Sequence, residues 1–266
     1  MSRGPLLYSL NNIDFSYNKK KVLNNICLQI PTGKFIGILG PNGSGKSTLL
    51  DILAGLHAPT SGKCELFGKN IKEYQALELA KLSAMMPQDF SVRFDFKVLE
   101  VIAMGRHPHL PRFAPLQSSD YELIEETMKL LDISDLAERN IRALSGGEQQ
   151  RVALARVLVQ TPKVLLLDEF SSNLDIYHTL TILKLLKGKI NKNDLSIISA
   201  VHDINQAAVF CDELIFIKNG EIIAEGQTEE ILSTEIIYEV YGVNAEIRYD
   251  SKNNKPYIIF NSELNI

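Results

Sequence analysis

The run Gly40-Pro41-Asn42-Gly43-Ser44-Gly45-Lys46-Ser47 constrains this chain more than any other stretch. It satisfies the pattern GxxxxGK[ST] and lies between an apolar run, Phe35-Ile36-Gly37-Ile38-Leu39, and residues Leu49, Ile52, Leu53 and Leu56 at helical spacing. Strand, glycine-rich turn and helix in that order make a phosphate cradle. Glycines let successive backbone N–H groups converge on phosphate oxygens, and the emerging helix adds its positive N-terminal end. Lys46 is placed to reach the β- and γ-phosphates. The Ser47 hydroxyl is a hard oxygen donor suited to Mg2+, which shares its coordination with nucleotide phosphates and water. The alternative, a glycine turn with no ligand, leaves the coincidence of lysine, hydroxyl and strand–helix context unexplained.

At 266 residues the chain is long enough for one or two domains with a buried core, and its 45% hydrophobic and 23% charged content is that of a globular protein. The formal net charge of −4 offers no electrostatic reason to expect a nucleic acid partner. Cys27, Cys64 and Cys211 are far apart and read as small buried side chains rather than a disulfide or zinc framework. No run approaches the length of a membrane span, and Met1 to Pro5 lacks a signal-peptide core. The expectation is a soluble cytosolic chain, with any membrane spans supplied by another polypeptide.

The remaining pattern alternates strands and helices. Residues 6–30 read as antiparallel strands around a turn at Tyr17 to Lys21, Ser83 to Met86 as a strand ending at Gln88, and Val98 to Met104 as a short helix before a Pro- and His-rich loop. Ser119 with Glu122, and Ser145 with Glu148, each form a capping-box pattern. Val164 to Leu167 is apolar on both faces, as a central parallel strand requires. The helix from Ile176 to Ile190 presents Leu180, Leu183 and Leu186 inward, and Asn219-Gly220 marks a hairpin. This predicts an α/β fold: a P-loop NTPase core with a mainly parallel sheet, an N-terminal antiparallel β subdomain and an inserted helical subdomain. The expected division is one domain over 1–266, with a nucleotide-binding core at 1–89 and 161–244, the helical part at 90–160 and a C-terminal hairpin extension at 245–266.

Asp168 closes the buried strand and is placed to hold Mg2+, while Glu169 beside it is placed to polarise a water for in-line attack on the γ-phosphate. Ser145, Gly146, Gly147 and Glu148 open a helix and form a second anion site. Asn191-Lys192-Asn193-Asp194 matches a guanine-recognition pattern, but it follows a helix instead of a strand and reads as a turn.

Leu144-Ser145-Gly146-Gly147-Glu148-Gln149-Gln150-Arg151, between the phosphate cradle and the acidic strand, closely resembles the signature of ABC ATPase subunits, and the resemblance covers essentially the whole chain. It implies ATP and Mg2+ as cofactors, with Gly40 to Ser47 and Thr48 around the phosphates. By the same resemblance Tyr17 stacks on adenine, Gln88 contacts Mg2+ and the attacking water, Ser171-Ser172-Asn173-Leu174-Asp175 is the D-loop and His202 contacts the γ-phosphate. Phe170 stands where the family usually has proline, and Asn173 where alanine or histidine is common.

The implied partners are a second copy of the chain, two membrane-spanning permease subunits and, indirectly, a substrate-binding protein, at the cytoplasmic face of the inner membrane. Residues 88–109 and Thr228 through Val243 most resemble importers of ferric siderophores, haem and cobalamin. Phe94, Phe96 and the loop from Arg106 to Pro111 are the expected permease-docking surface. His107 and His109 alone make a weak metal site. An exporter subunit shares every catalytic motif, and a soluble ABC ATPase acting on ribosomes or DNA is a third possibility.

Overall fold

The computed structural model describes residues 5–112, 114–193, 195–251 and 254–261. They form two compact units, residues 1–74 with 190–266, and residues 75–189.

The first unit begins with β1 (Leu6–Tyr17), β2 (Lys20–Pro31), β3 (Phe35–Leu39), α1 (Lys46–Leu53), β4 (Ser61–Leu66) and β5 (Lys69–Asn70). Strands β2, β1, β4 and β5 pair in that order as an antiparallel sheet. The turn after β1 is tighter than the lysine run suggests. Strand pairing persists to Tyr17 and Lys20, because Asn18 takes a left-handed φ of 54°.

The second unit holds α2 (Ala76–Leu82), β6 (Ser83–Met86), α3 (Val98–Ala103), α4 (Ser118–Leu130), α5 (Gly146–Leu158), β7 (Val164–Asp168) and the start of α6 (Ile176–Asn193). β6 and β7 run parallel, and every residue of β7 is buried, so its unbroken apolar run reflects cover on both faces. The chain then returns to the first unit with β8 (Ser196–Ala200), α7 (Ile204–Phe210), β9 (Glu213–Lys218), β10 (Glu221–Gln227), α8 (Thr228–Ile231), α9 (Thr234–Tyr241), β11 (Ala245–Tyr249) and β12 (Pro256–Phe260). There β3 lies between β8 and β9, parallel to both, and β9 turns into β10 through Asn219 and Gly220, both at positive φ. The hairpin of β11 and β12 is held to α7 by Asn205, which donates to the Ile258 carbonyl at 3.2 Å and accepts from its N–H at 2.6 Å.

Several local expectations change. α4 starts at Ser118, and the carboxylate that accepts from the preceding Gln117 N–H at 2.9 Å is Asp120, not Glu122. Asp120 is buried and also receives Arg106 Nε at 2.7 Å, so one carboxylate satisfies the helix start and the guanidinium together. The stretch after Met104, expected as loop, continues as a 3-10 helix (Met104–His109), and Arg106 points inward, donating to the Val159 carbonyl at 2.7 Å. Leu180 is exposed, whereas Leu183 and Leu186 are buried as their spacing requires. Asn191 to Asn193 are the end of α6 and not a turn; Asp194 lies outside the described residues. Cys64 and Cys211 are buried, but Cys27 is exposed, because its place in β2 alternates to the outer face.

Candidate nucleotide site

The first unit carries the phosphate cradle. β3 delivers the chain to Gly40, where a Cβ would lie 2.0 Å from the Ile217 carbonyl, so only glycine lets the loop sit against β9. Gly45 caps α1 at φ 108° and brings no side chain to the helix start. The first-turn N–H groups are therefore not taken up by a capping oxygen, the arrangement that receives an anion. Lys46 is buried, and its Nζ donates to the Gly40 carbonyl at 2.9 Å and to the Pro41 carbonyl at 3.2 Å, which holds its charge across the mouth of the loop. Ser47 is half-buried, Thr48 buried and Asn42 exposed. The loop is braced from below by the β9–β10 turn, where the Gly220 N–H donates to the Ser44 carbonyl at 3.0 Å.

Tyr17 ends β1 with 45% of its surface exposed, its ring perpendicular to those of Phe15 and His57. His202 follows β8 and is exposed, beside Asp203, which caps α7 by accepting from Asn205 N–H at 2.8 Å. Tyr241 escaped the sequence reading. It closes α9, is hydrogen-bonded to the Gly40 backbone, and burial pushes its hydroxyl up to about 12. A tyrosine at a helix end carries no motif, so nothing in the local pattern marks it.

The second unit brings Gln88, Asp168 and Glu169 together at the ends of β6 and β7. Asp168 and Glu169 are buried, and Gln88 Nε2 donates to Glu169 Oε2 at 2.7 Å. Glu169 adopts a left-handed backbone, φ 51°, an uncommon conformation for a residue with a side chain and one that concentrates at functional sites. Phe170 is buried, and its carbonyl accepts from Gln150 Nε2 at 2.8 Å, so the position usual for proline is held by packing and a hydrogen bond instead. From there Ser171 to Asp175 forms a turn in which the Leu174 N–H donates to the Ser171 carbonyl at 3.1 Å. Asp175 caps α6, and the His178 backbone N–H, followed by its imidazole, holds that carboxyl below its ordinary range.

In the same unit Ser145 caps α5. Glu148 accepts from the Ser145 N–H and from the Ser145 hydroxyl, both at 2.7 Å, and these bonds, the hydroxyl first, lower its pKa. Gly146 and Gly147 lie beside the D-loop: a Cβ on Gly147 would stand 3.0 Å from the Asn173 carbonyl. At the expected docking surface Phe94 is 71% exposed and meets Phe96 edge-on at 6.2 Å. His109 Nε2 lies 2.8 Å from the Gln160 carbonyl, so its contact is structural.

A parallel strand, a glycine loop, a helix start without a capping side chain and a buried lysine define a P-loop nucleotide-binding α/β protein. Residues 23–172 match the ABC transporter family. The chain is 39% identical over 95% of its length to the hemin import ATP-binding protein HmuV of Escherichia coli O157:H7, covering 99% of that protein. It is 35% identical over 93% of its length to the ferric enterobactin transport ATP-binding protein FepC of Escherichia coli K12, covering 91% of it. A solved metal-chelate type ABC transporter in an inward-facing conformation superposes with a TM-score of 0.82 at 27% identity, over 97% of this chain and 98% of that one. The chain belongs to the ABC transporter family, as an ATP-binding subunit. Among its described residues, no helix is long and apolar enough to cross a membrane.

Proposed function

We propose that this chain is the ATP-hydrolysing subunit of an importer for an iron chelate, haem or cobalamin. Two copies work beneath two membrane-spanning permease subunits, at the cytoplasmic face of the inner membrane, on cargo delivered by a binding protein. The import of haem and the transport of ferric enterobactin by its relatives' transporters support the cargo class. The observation that carries the hydrolytic role is Glu169, a buried carboxylate in a left-handed backbone, oriented by Gln88 and directly following Asp168.

The chain's residues divide the work. Lys46 and the α1 N-terminus hold the β- and γ-phosphates, where they oppose the charge that builds during phosphoryl transfer. Glu169 takes a proton from the attacking water, and Gln88 keeps its carboxylate from rotating away. Gln88 donates through Nε2, so its amide oxygen remains a hard donor; the Ser47 hydroxyl and the Asp168 carboxylate are hard oxygens too, the donor chemistry that Mg2+ takes. When bound, that ion supplies charge neutralisation at the phosphates. His202 contacts the γ-phosphate, and Tyr17 carries the adenine.

Ser145 to Gly147 act on nucleotide held by the other copy, while Glu148 holds their turn in shape. The second copy is supported by Ile176 and Tyr177, which follow the D-loop with 80% and 73% of their surface exposed, apolar area suited to a partner. Permease docking falls to Phe94 and Phe96, since Arg106 is committed to Asp120.

Glu169→Gln tests the role. It keeps shape and hydrogen bonding but loses the base, so ATP should bind while turnover falls about 10²- to 10⁴-fold. The variant should also pair in ATP and separate in ADP, read by light scattering after size exclusion. Turnover at the wild-type rate would remove Glu169 as the base.

A further inference from the structure

We infer that His57 is a positioning residue for the base-stacking ring of Tyr17, a role that rests on Tyr17 being the adenine platform. Tyr17 stands at the end of a strand with nearly half its surface in solvent, where a tyrosine ring is free to sample several rotamers. A platform that must be ordered when the base arrives binds more weakly than one already fixed. Here the ring is fixed from two sides. It lies 4.9 Å from Phe15 at 87° and 5.6 Å from His57 at 86°, the edge-to-face geometry that aromatic quadrupoles favour. Phe15 and His57 are themselves stacked, 5.3 Å apart at 28°, so the three rings form one closed cluster.

His57 is in turn held by its own surroundings. Its Nε2 lies 3.8 Å from the Asp51 carboxylate, and its backbone N–H donates to the Asp51 carbonyl at 3.3 Å. Three residues on, the Thr60 N–H donates to the Asp14 carbonyl at 2.8 Å and the Thr60 hydroxyl accepts from the Ser16 N–H at 3.3 Å. The segment carrying His57 is thereby pinned alongside the end of β1. Asp51 belongs to α1, the helix whose first turn carries Lys46. Eight residues of helix, about 12 Å, thus link the phosphate cradle at one end to the brace of the base platform at the other. The helix sets both ends of the nucleotide's berth.

The test separates base from phosphate. Calorimetric titration of the full chain with magnesium ATP reads both ends, and inorganic tripolyphosphate with magnesium reads the cradle alone. Tyr17→Ala should weaken ATP about tenfold or more, and His57→Ala about three- to tenfold. Neither should move tripolyphosphate by more than about twofold, a difference that damage to the loop would not spare. His57→Phe should restore ATP affinity, whereas His57→Leu, apolar but without a ring, should not. If Tyr17→Ala weakens ATP while His57→Ala leaves it unaltered, the brace is wrong and the platform stands. Unaltered ATP affinity in Tyr17→Ala removes the platform itself. Equal losses of ATP and tripolyphosphate in His57→Ala would place its effect on the cradle and overturn the inference.

Discussion

The N-termini of α1 and α5 are both glycine-rich helix starts suited to phosphate, yet one carries no capping side chain and the other is filled by the chain's own carboxylate. At α1 the cap is Gly45, which has nothing to offer the first-turn N–H groups, and a buried ammonium stands over the loop. At α5 Ser145 and Glu148 already cap the turn, and Arg139 lies 3.7 Å from that carboxylate. A phosphate meets attraction at the first and a resident negative charge at the second. The difference teaches how labour is divided. Under the proposed function α1 holds the nucleotide, whereas α5 acts on a phosphate that the other copy has already positioned.

Lys46→Ala strikes the stronger site and should have the largest effect: ATP affinity of the free chain should fall about a hundredfold or more, measured by titration. Affinity at the wild-type level would erase the distinction between the two sites. Ser145→Ala should leave ATP affinity of the free chain within about twofold while lowering steady-state turnover of the assembled complex about tenfold. A comparable loss of affinity in the free chain would show that α5 binds nucleotide on its own. The smallest effect is expected from Glu148→Gln, about 1 kcal/mol of stability at neutral pH in denaturant melts, because the helix loses a charged cap. Glu148 titrates lower in the folded chain than in the unfolded one. Its contribution is therefore complete above the unfolded value, about pH 4.3, and is lost as pH falls through the folded value. The gap between wild type and variant should close as pH falls below the folded value; a gap that persists once the carboxyl is protonated would assign the loss to shape rather than charge.

Features legible in the sequence were those in which neighbours along the chain are also partners in space. The cradle, the Asn219-Gly220 turn and the Ser145–Glu148 box each close within a few residues, so composition and spacing suffice to place them. Misreadings arose where a distant group outbid the local one. Ser119 and Glu122 form a sound local box, but Asp120 gains both Gln117 and Arg106 and moves the helix cap two residues earlier, from Ser119 to Gln117. Arg106 sits in a Pro- and His-rich stretch that looks solvated, and only its packing against Asp120 and Val159 turns it inward.

By itself the sequence determined that the chain binds nucleotide phosphate, that an acidic pair follows a buried strand, and that the whole belongs with ABC ATPases. Such motifs are short because the chemistry they perform acts over a few ångströms and a few backbone N–H groups. Tertiary structure alone decided that Tyr241 meets Gly40, 201 positions away along the numbering, and that His57 meets Tyr17 across the first unit. It also decided that Glu169 stands in a left-handed backbone oriented by Gln88. Each of these depends on side chains from separate elements competing for one buried space, and that competition is settled only when the elements pack.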